Sequence, residues 1–178
     1  MRFSHRRGCP VGLRNLRYLQ ISFLGFVGVG RTGELIVHES QARPVVRVFR
    51  TLYDARFPIR RMRLVDAYQG DDDASMSANN TSAYNCRRTA NDDRWSEHAY
   101  GRAIDINPIQ NPYLSGSFVA PQEGRRYATV DRSAQAPYIR GGIRMADVVV
   151  AAFERIGWRW GGDWTYAKDY QHFSATGR

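Results

Sequence analysis

Five residues constrain this chain more than any others. Between Arg102 and Ile106 a single carboxylate, Asp105, stands between Ile104 and Ile106. Side chains alternate across a strand, so Ala103 and Asp105 share one face and the isoleucines the other. Such a strand needs a core on its apolar side and, on the other, a partner for an acid that cannot be buried alone. Upstream, His98 precedes Asp105 by seven residues across Gly101, which permits a tight backbone. Only four histidines occur in the chain, and a second of them, His172, follows Asp169 by three residues in Lys168-Asp169-Tyr170-Gln171-His172-Phe173. Two imidazoles and a carboxylate make a three-ligand set for zinc with a fourth position open to water. A further carboxylate beside that water can act as general base. The inventory suggests a zinc hydrolase.

The rest of the chain predicts an α+β fold, a small antiparallel sheet flanked by helices. At 178 residues it is sized for one domain. Residues 1–18 read as a basic, loose lead-in, and residues 19–178 as the single catalytic domain. Residues 19–38 read as two strands joined around Gly28, Gly30 and Gly33. The apolar run Ile21–Gly30 is broken by glycine and has no small-x-small cleavage site, which favours paired strands over a signal peptide. Helical spacing of Val45, Val48, Phe49, Leu52 and Tyr53 predicts a helix with Pro44 in its first turn. Residues 62–68 look like a strand, 70–94 a polar loop, and 108–142 a second long loop. An amphipathic helix follows over Met145, Val148, Val149, Ala152, Phe153 and Ile156, closed by Gly157. Trp158–Trp160 and Tyr170–Ser174 read as closing strands.

Charge and cysteine content narrow the partners. The net charge of +9 favours anionic partners, but the basic residues are scattered, Lys168 is the only lysine, and no nucleic-acid motif accompanies them. We expect no specific nucleic-acid partner. No segment approaches the roughly 20 apolar residues needed to span a bilayer. Cys9 and Cys86 are too widely spaced for a clustered metal site; free thiols and a single disulfide are both open readings. Asp71-Asp72-Asp73 reads as a solvated acidic turn rather than a calcium loop, and Asn80-Thr81-Ser82 satisfies the glycosylation sequon. His5 and His38 read as surface residues. Of Trp95, Tyr100, Trp160 and Trp164, some are expected to line a groove and at least half to pack in the core.

Ser96-x-His98-x-x-Gly101-x-Ala103-x-Asp105-Ile106, with Asp169-x-x-His172 downstream and Asn85-Cys86-Arg87 before it, resembles the motif of the zinc D-Ala-D-Ala carboxypeptidases and L-Ala-D-Glu endopeptidases. This M15-like family shares a fold with lysostaphin-type peptidases and the Hedgehog signalling domain. The likeness spans roughly residues 9–175. It implies zinc held by His98, Asp105 and His172, with Asp169 as general base where many relatives carry Glu, so the reach is shorter. It also implies that Arg87 polarises the scissile carbonyl, a role suited to a fixed cation. Arg88 is its immediate neighbour, and the choice of Arg87 rests on alignment. Ser96 resembles a residue that helps hold a substrate carboxylate, and Glu97 takes no catalytic role. The implied activity is hydrolysis of peptidoglycan stem peptides by a monomer that is extracellular or bound to the cell wall. The alternative is a non-catalytic zinc-bearing binding module of cell wall or protein, which would have no need of a base. Carboxypeptidase and endopeptidase share these residues, so the scissile bond is not fixed by them.

Overall fold

Strand β1 (Leu16–Leu24) and strand β2 (Gly30–His38) form an antiparallel hairpin whose register runs from Leu16 opposite His38 to Leu24 opposite Gly30. The turn closes through Gly28 at φ 79°, a conformation that glycine adopts without steric cost. The chain is seen here as a computed structural model, which describes residues 1–89 and 93–178. Helix α1 (Glu39–Asp54) follows β2 directly. It begins five residues before the expected start, because His38 caps it: Ser40 N donates to His38 Nδ1 at 3.2 Å. Pro44 therefore lies inside the helix, where it withholds one backbone donor from the turn before it. Val45, Val48, Phe49 and Leu52 face inward, as their spacing predicts.

The remaining strands are short. β3 (Ala103–Asp105), β8 (His172–Ser174) and β6 (Arg159–Trp160) make one antiparallel sheet in the order β3-β8-β6. β5 (Phe118–Ala120), β4 (Tyr113–Ser115) and β7 (Lys168–Asp169) make another, in the order β5-β4-β7. The architecture is thus α+β, with three small antiparallel sheets where one was expected. Helix α3 (Val148–Glu154) packs on α1, and a short helix α2 (Asp72–Ser77) interrupts the stretch read as a loop. The expected strand at 62–68 is instead a 3-10 turn over Val65–Tyr68, with Met62 making a lone bridge to Thr81. No helix among the described residues is long and apolar enough to cross a membrane.

The main core gathers Phe23, Leu35, Val37, Phe49, Leu52, Ile104, Ile106, Phe153, Trp158 and Phe173. Phe153 and Phe173 stack with ring centroids 4.2 Å apart. Burying such side chains is the main favourable contribution to folding, at about 25 cal/mol per Å² of apolar surface. A smaller cluster of Val11, Leu16, Ile36 and Tyr84 lies beside Cys86, which is joined to Cys9 by a disulfide. The N-terminal lead-in is therefore tied down rather than loose. Asp66 also holds it, accepting from Phe3 N at 2.8 Å and from the Ser4 hydroxyl.

The stretch 108–142, expected to be a long loop, contains β4, β5 and a 3-10 turn over Gln122–Tyr127, and polar groups order the rest. Arg132 donates to Asn111 Oδ1 (2.9 Å), Ile143 O (2.8 Å) and Gln110 O (2.6 Å), and lies over the Tyr170 ring. Asn80 of the sequon is fully buried, its side chain bonded to both backbone groups of Arg63 and to Ser75. The folded chain does not present it for glycosylation.

Candidate active site

Asp105 and His172 stand directly opposite one another across β3 and β8. Their neighbours Ile104 and Phe173 are likewise paired and face the core, so the alternation read from the sequence holds and places the acid and the imidazole on one face. His98 comes from a 3-10 turn, Glu97–Tyr100, which Ser96 caps by accepting from His98 N at 3.3 Å. Gly101 closes that turn at φ 65°, with its carbonyl accepting from His38 N at 2.9 Å. A Cβ on Gly101 would meet His38 N at 2.5 Å, so both conformation and space require glycine.

The three side chains converge. His172 Nδ1 lies 3.0 Å from Asp105 Oδ1, His98 Nε2 lies 3.2 Å from Asp105 Oδ2, and the two ring nitrogens are 3.3 Å apart. All three are buried, and their donor atoms lie within 4.8 Å of one another. The outer nitrogens define the tautomers. His98 Nδ1 is 2.6 Å from Ala83 O, and His172 Nε2 is 2.8 Å from Arg178 O. Both of these backbone oxygens accept, so each outer nitrogen carries the hydrogen and each inner nitrogen of the neutral ring offers a lone pair. Two lone pairs and a carboxylate then face one point with no proton between them, which is an arrangement that a divalent cation satisfies. Without one, a proton is drawn in. Burial opposes charge on His172, but Asp105 outweighs it and raises the ring's affinity for a proton. Burial likewise opposes the Asp105 anion, and the two histidines outweigh it, holding the carboxyl well below the usual range.

Asp169 reaches the same cleft from the other sheet, where β7 pairs it opposite Tyr113. Its Oδ1 is buried with no hydrogen-bond partner among the described residues. Burial pushes its carboxyl up to about 7, although His172 pulls the other way. Gly161 makes this approach possible. A Cβ there would lie 2.7 Å from Asp169 O, 2.9 Å from Asp169 Cβ and 3.3 Å from His172 Cβ.

Arg87 lines the cleft and is held by Asp72, Nη2 to Oδ2 at 2.8 Å. Asp72 in turn accepts from Asn85 Nδ2 at 3.4 Å. Burial works against the Arg87 charge, but Asp72 and the site carboxylates raise its pKa further. Arg88 turns away, pairing with Asp93 and covering the Trp95 ring at 3.9 Å. Of the two neighbouring arginines, only Arg87 lines this cleft.

The cleft holds about 580 Å³, within the range of small-ligand sites. Tyr113, Phe118, Trp95 and Trp164 form its apolar walls, whereas Trp160 belongs to the core. Ser96 and Glu97 also line it. His5 bonds Tyr84 OH at 2.7 Å and His38 caps α1, both away from the cleft lining. Three contributors escaped the sequence reading. Asp72 was hidden in what looked like a solvated acidic run. Gly161 was one glycine among sixteen. Gln171 is buried at the cleft with no partner for its Oε1 among the described residues, and only its place between Asp169 and His172 could have flagged it.

Residues 89–175 match the family model described as D-alanyl-D-alanine carboxypeptidase. The match is narrower than the 9–175 span of the likeness read from sequence. It includes His98, Asp105, Asp169 and His172 and stops short of Arg87. No curated protein and no solved structure matches the chain.

Proposed function

We propose, from the match of residues 89–175 to the D-alanyl-D-alanine carboxypeptidase family model, that the chain is a zinc-dependent hydrolase of peptide bonds in peptidoglycan stem peptides. Its type would be D-Ala-D-Ala carboxypeptidase or L-Ala-D-Glu endopeptidase. The observation that carries this reading is the convergence of His98 Nε2, Asp105 and His172 Nδ1 at the floor of a cleft that also holds Asp169 and Arg87.

Zinc held by those three residues would supply a Lewis acid, lowering the pKa of water toward about 7 and polarising a carbonyl. The chain's own groups do the rest. The backbone oxygens of Ala83 and Arg178 lock both imidazoles in the tautomer that binds metal. Asp169 takes the proton of the attacking water on its unpartnered oxygen and passes it to the leaving amine. Burial raises the proton affinity of the Asp169 carboxyl, the direction that a base requires. Arg87, fixed by Asp72, donates to the scissile carbonyl oxygen as negative charge develops there. The Ser96 hydroxyl, whose oxygen accepts from His98 N, keeps its own hydrogen to donate to a substrate carboxylate. A net charge of +9 supports residence on an anionic cell wall.

Asp169→Asn tests the enzyme reading against a zinc-bearing binding module. The variant should retain zinc and lose cleavage of purified peptidoglycan by about 10²- to 10⁴-fold, the usual contribution of a general base. Mass spectrometry of the native digest identifies the bond cut. Undiminished cleavage by the variant would remove Asp169 from the mechanism.

A further inference from the structure

A second cleft of about 410 Å³ opens beside the first, and the two share Arg94, Trp95, Glu97 and Arg178 as a common wall. Their charge balance differs. Among the described residues, three arginines and five carboxylates line the first cleft, whereas four arginines line the second with Asp93 and Glu97. Zinc in the first cleft would bring its charges close to balance, whereas the second cleft keeps a positive excess, so an acidic group of a bound substrate remote from the metal is favoured there.

The arginines of this second cleft are not equivalent. Arg88 is already engaged, 3.5 Å from Asp93 and stacked on Trp95. Arg102 is not. Its backbone is fixed on both sides, the N–H donating to Glu97 O at 3.1 Å and the carbonyl accepting from Ala175 N at 3.0 Å. Its side chain is half-buried, with Nε inaccessible and unpartnered, and it forms no ion pair among the described residues. A guanidinium partly withdrawn from water without an anion is incompletely satisfied, and a carboxylate can meet its planar fork with two charged hydrogen bonds.

We propose that the second cleft is a substrate subsite that takes a carboxylate remote from the scissile bond, with Arg102 as its anchor. This rests on the peptidase reading and names the part of the peptide that the chemistry at zinc does not engage. A peptide carrying two or more acidic groups binds with one end at the metal and another acid across the wall formed by Trp95 and Arg178. The subsite would select acidic peptides over their amidated counterparts.

The test uses two synthetic stem peptides identical except that one glutamate carboxylate, away from the cut bond, is a carboxamide in the second. Binding to the zinc-loaded chain is measured by calorimetry, and cleavage by product release. The native chain should bind the acid peptide about tenfold more tightly, the usual scale of a charge-assisted contact. Arg102→Gln should bring that ratio close to one. Arg102→Lys, which keeps the charge but not the fork, should restore part of it and also guards against misfolding of the first variant. Equal affinity for both peptides in the native chain, or an unchanged ratio in Arg102→Gln, overturns the subsite. A preference that vanishes in Arg102→Gln without any cleavage would support the subsite and sink the peptidase reading. Cleavage without preference would do the reverse.

Discussion

In α1 apolar side chains recur at the helix period, β1 and β2 run nine residues each, β2 buries the consecutive Leu35, Ile36 and Val37 on both of its faces, and the interior is almost wholly aliphatic and aromatic. Between Ser96 and Ser174 no strand exceeds three residues, and the backbone is positioned by buried asparagines, Arg132 and glycines under close contact. Both regions are well buried, but they fail differently. A regular hairpin and helix tolerate small shifts because the hydrophobic effect is non-directional. A site made from irregular backbone depends on directional contacts, in which displacements below an ångström alter chemistry before they alter stability.

Substitutions in each region should separate these behaviours. Phe153→Ala, in the shared core, should cost about 3–5 kcal/mol of stability in chemical denaturation, the usual scale for a buried aromatic. Its fully buried ring stacks on Phe173, whose strand carries His172. Zinc affinity measured well below the melting temperature should change little, because the ligand face of β8 is the opposite one. Gly161→Ala should do the reverse. Its added methyl group collides with Asp169 and crowds His172, so cleavage should fall by about 10²-fold while the melting temperature moves less than in Phe153→Ala. If it cleaves like the native chain, the claim of fine positioning there is broken.

The smallest effect concerns acid. Burial opposes the Asp66 anion, but donors from Phe3 and Ser4 outweigh it and hold the carboxyl below its ordinary value. A lowered folded-state pKa contributes stability that is present above the ordinary carboxylate range and lost as pH falls through it. Asp66→Asn should therefore flatten the loss of stability below about pH 4, read from denaturation midpoints at several pH values. An unchanged slope would show that Asp66 does not fasten the N-terminal segment.

The two regions also differed in how far the sequence revealed them. Apolar periodicity marked the hairpin and the inner face of α1, because local pattern and burial agree there. Its start was missed because the cap is a histidine, His38, a type rarely read as one. At the site, His98, Asp105 and His172 were legible from residue type and spacing, and alternation foretold which way Asp105 points. Asp72 was not legible because its partner Arg87 lies fifteen residues on, and Gly161 was not because it matters through the Cβ it lacks beside Asp169, which leaves no mark in residue type or spacing. The strands β4, β5 and β7 escaped for a related reason. Two or three residues carry no period, and β4 pairs with β7 more than fifty residues away.

The central claim is that three side chains brought together by β3, β8 and one 3-10 turn hold a metal ion that the chemistry requires. Metal analysis of the native chain and of His172→Ala, paired with digestion of purified peptidoglycan, tests it most directly. The account predicts about one zinc per native chain with peptide-bond cleavage, and loss of both in the variant. A His172→Ala protein that keeps its zinc and cleaves at the native rate would contradict it.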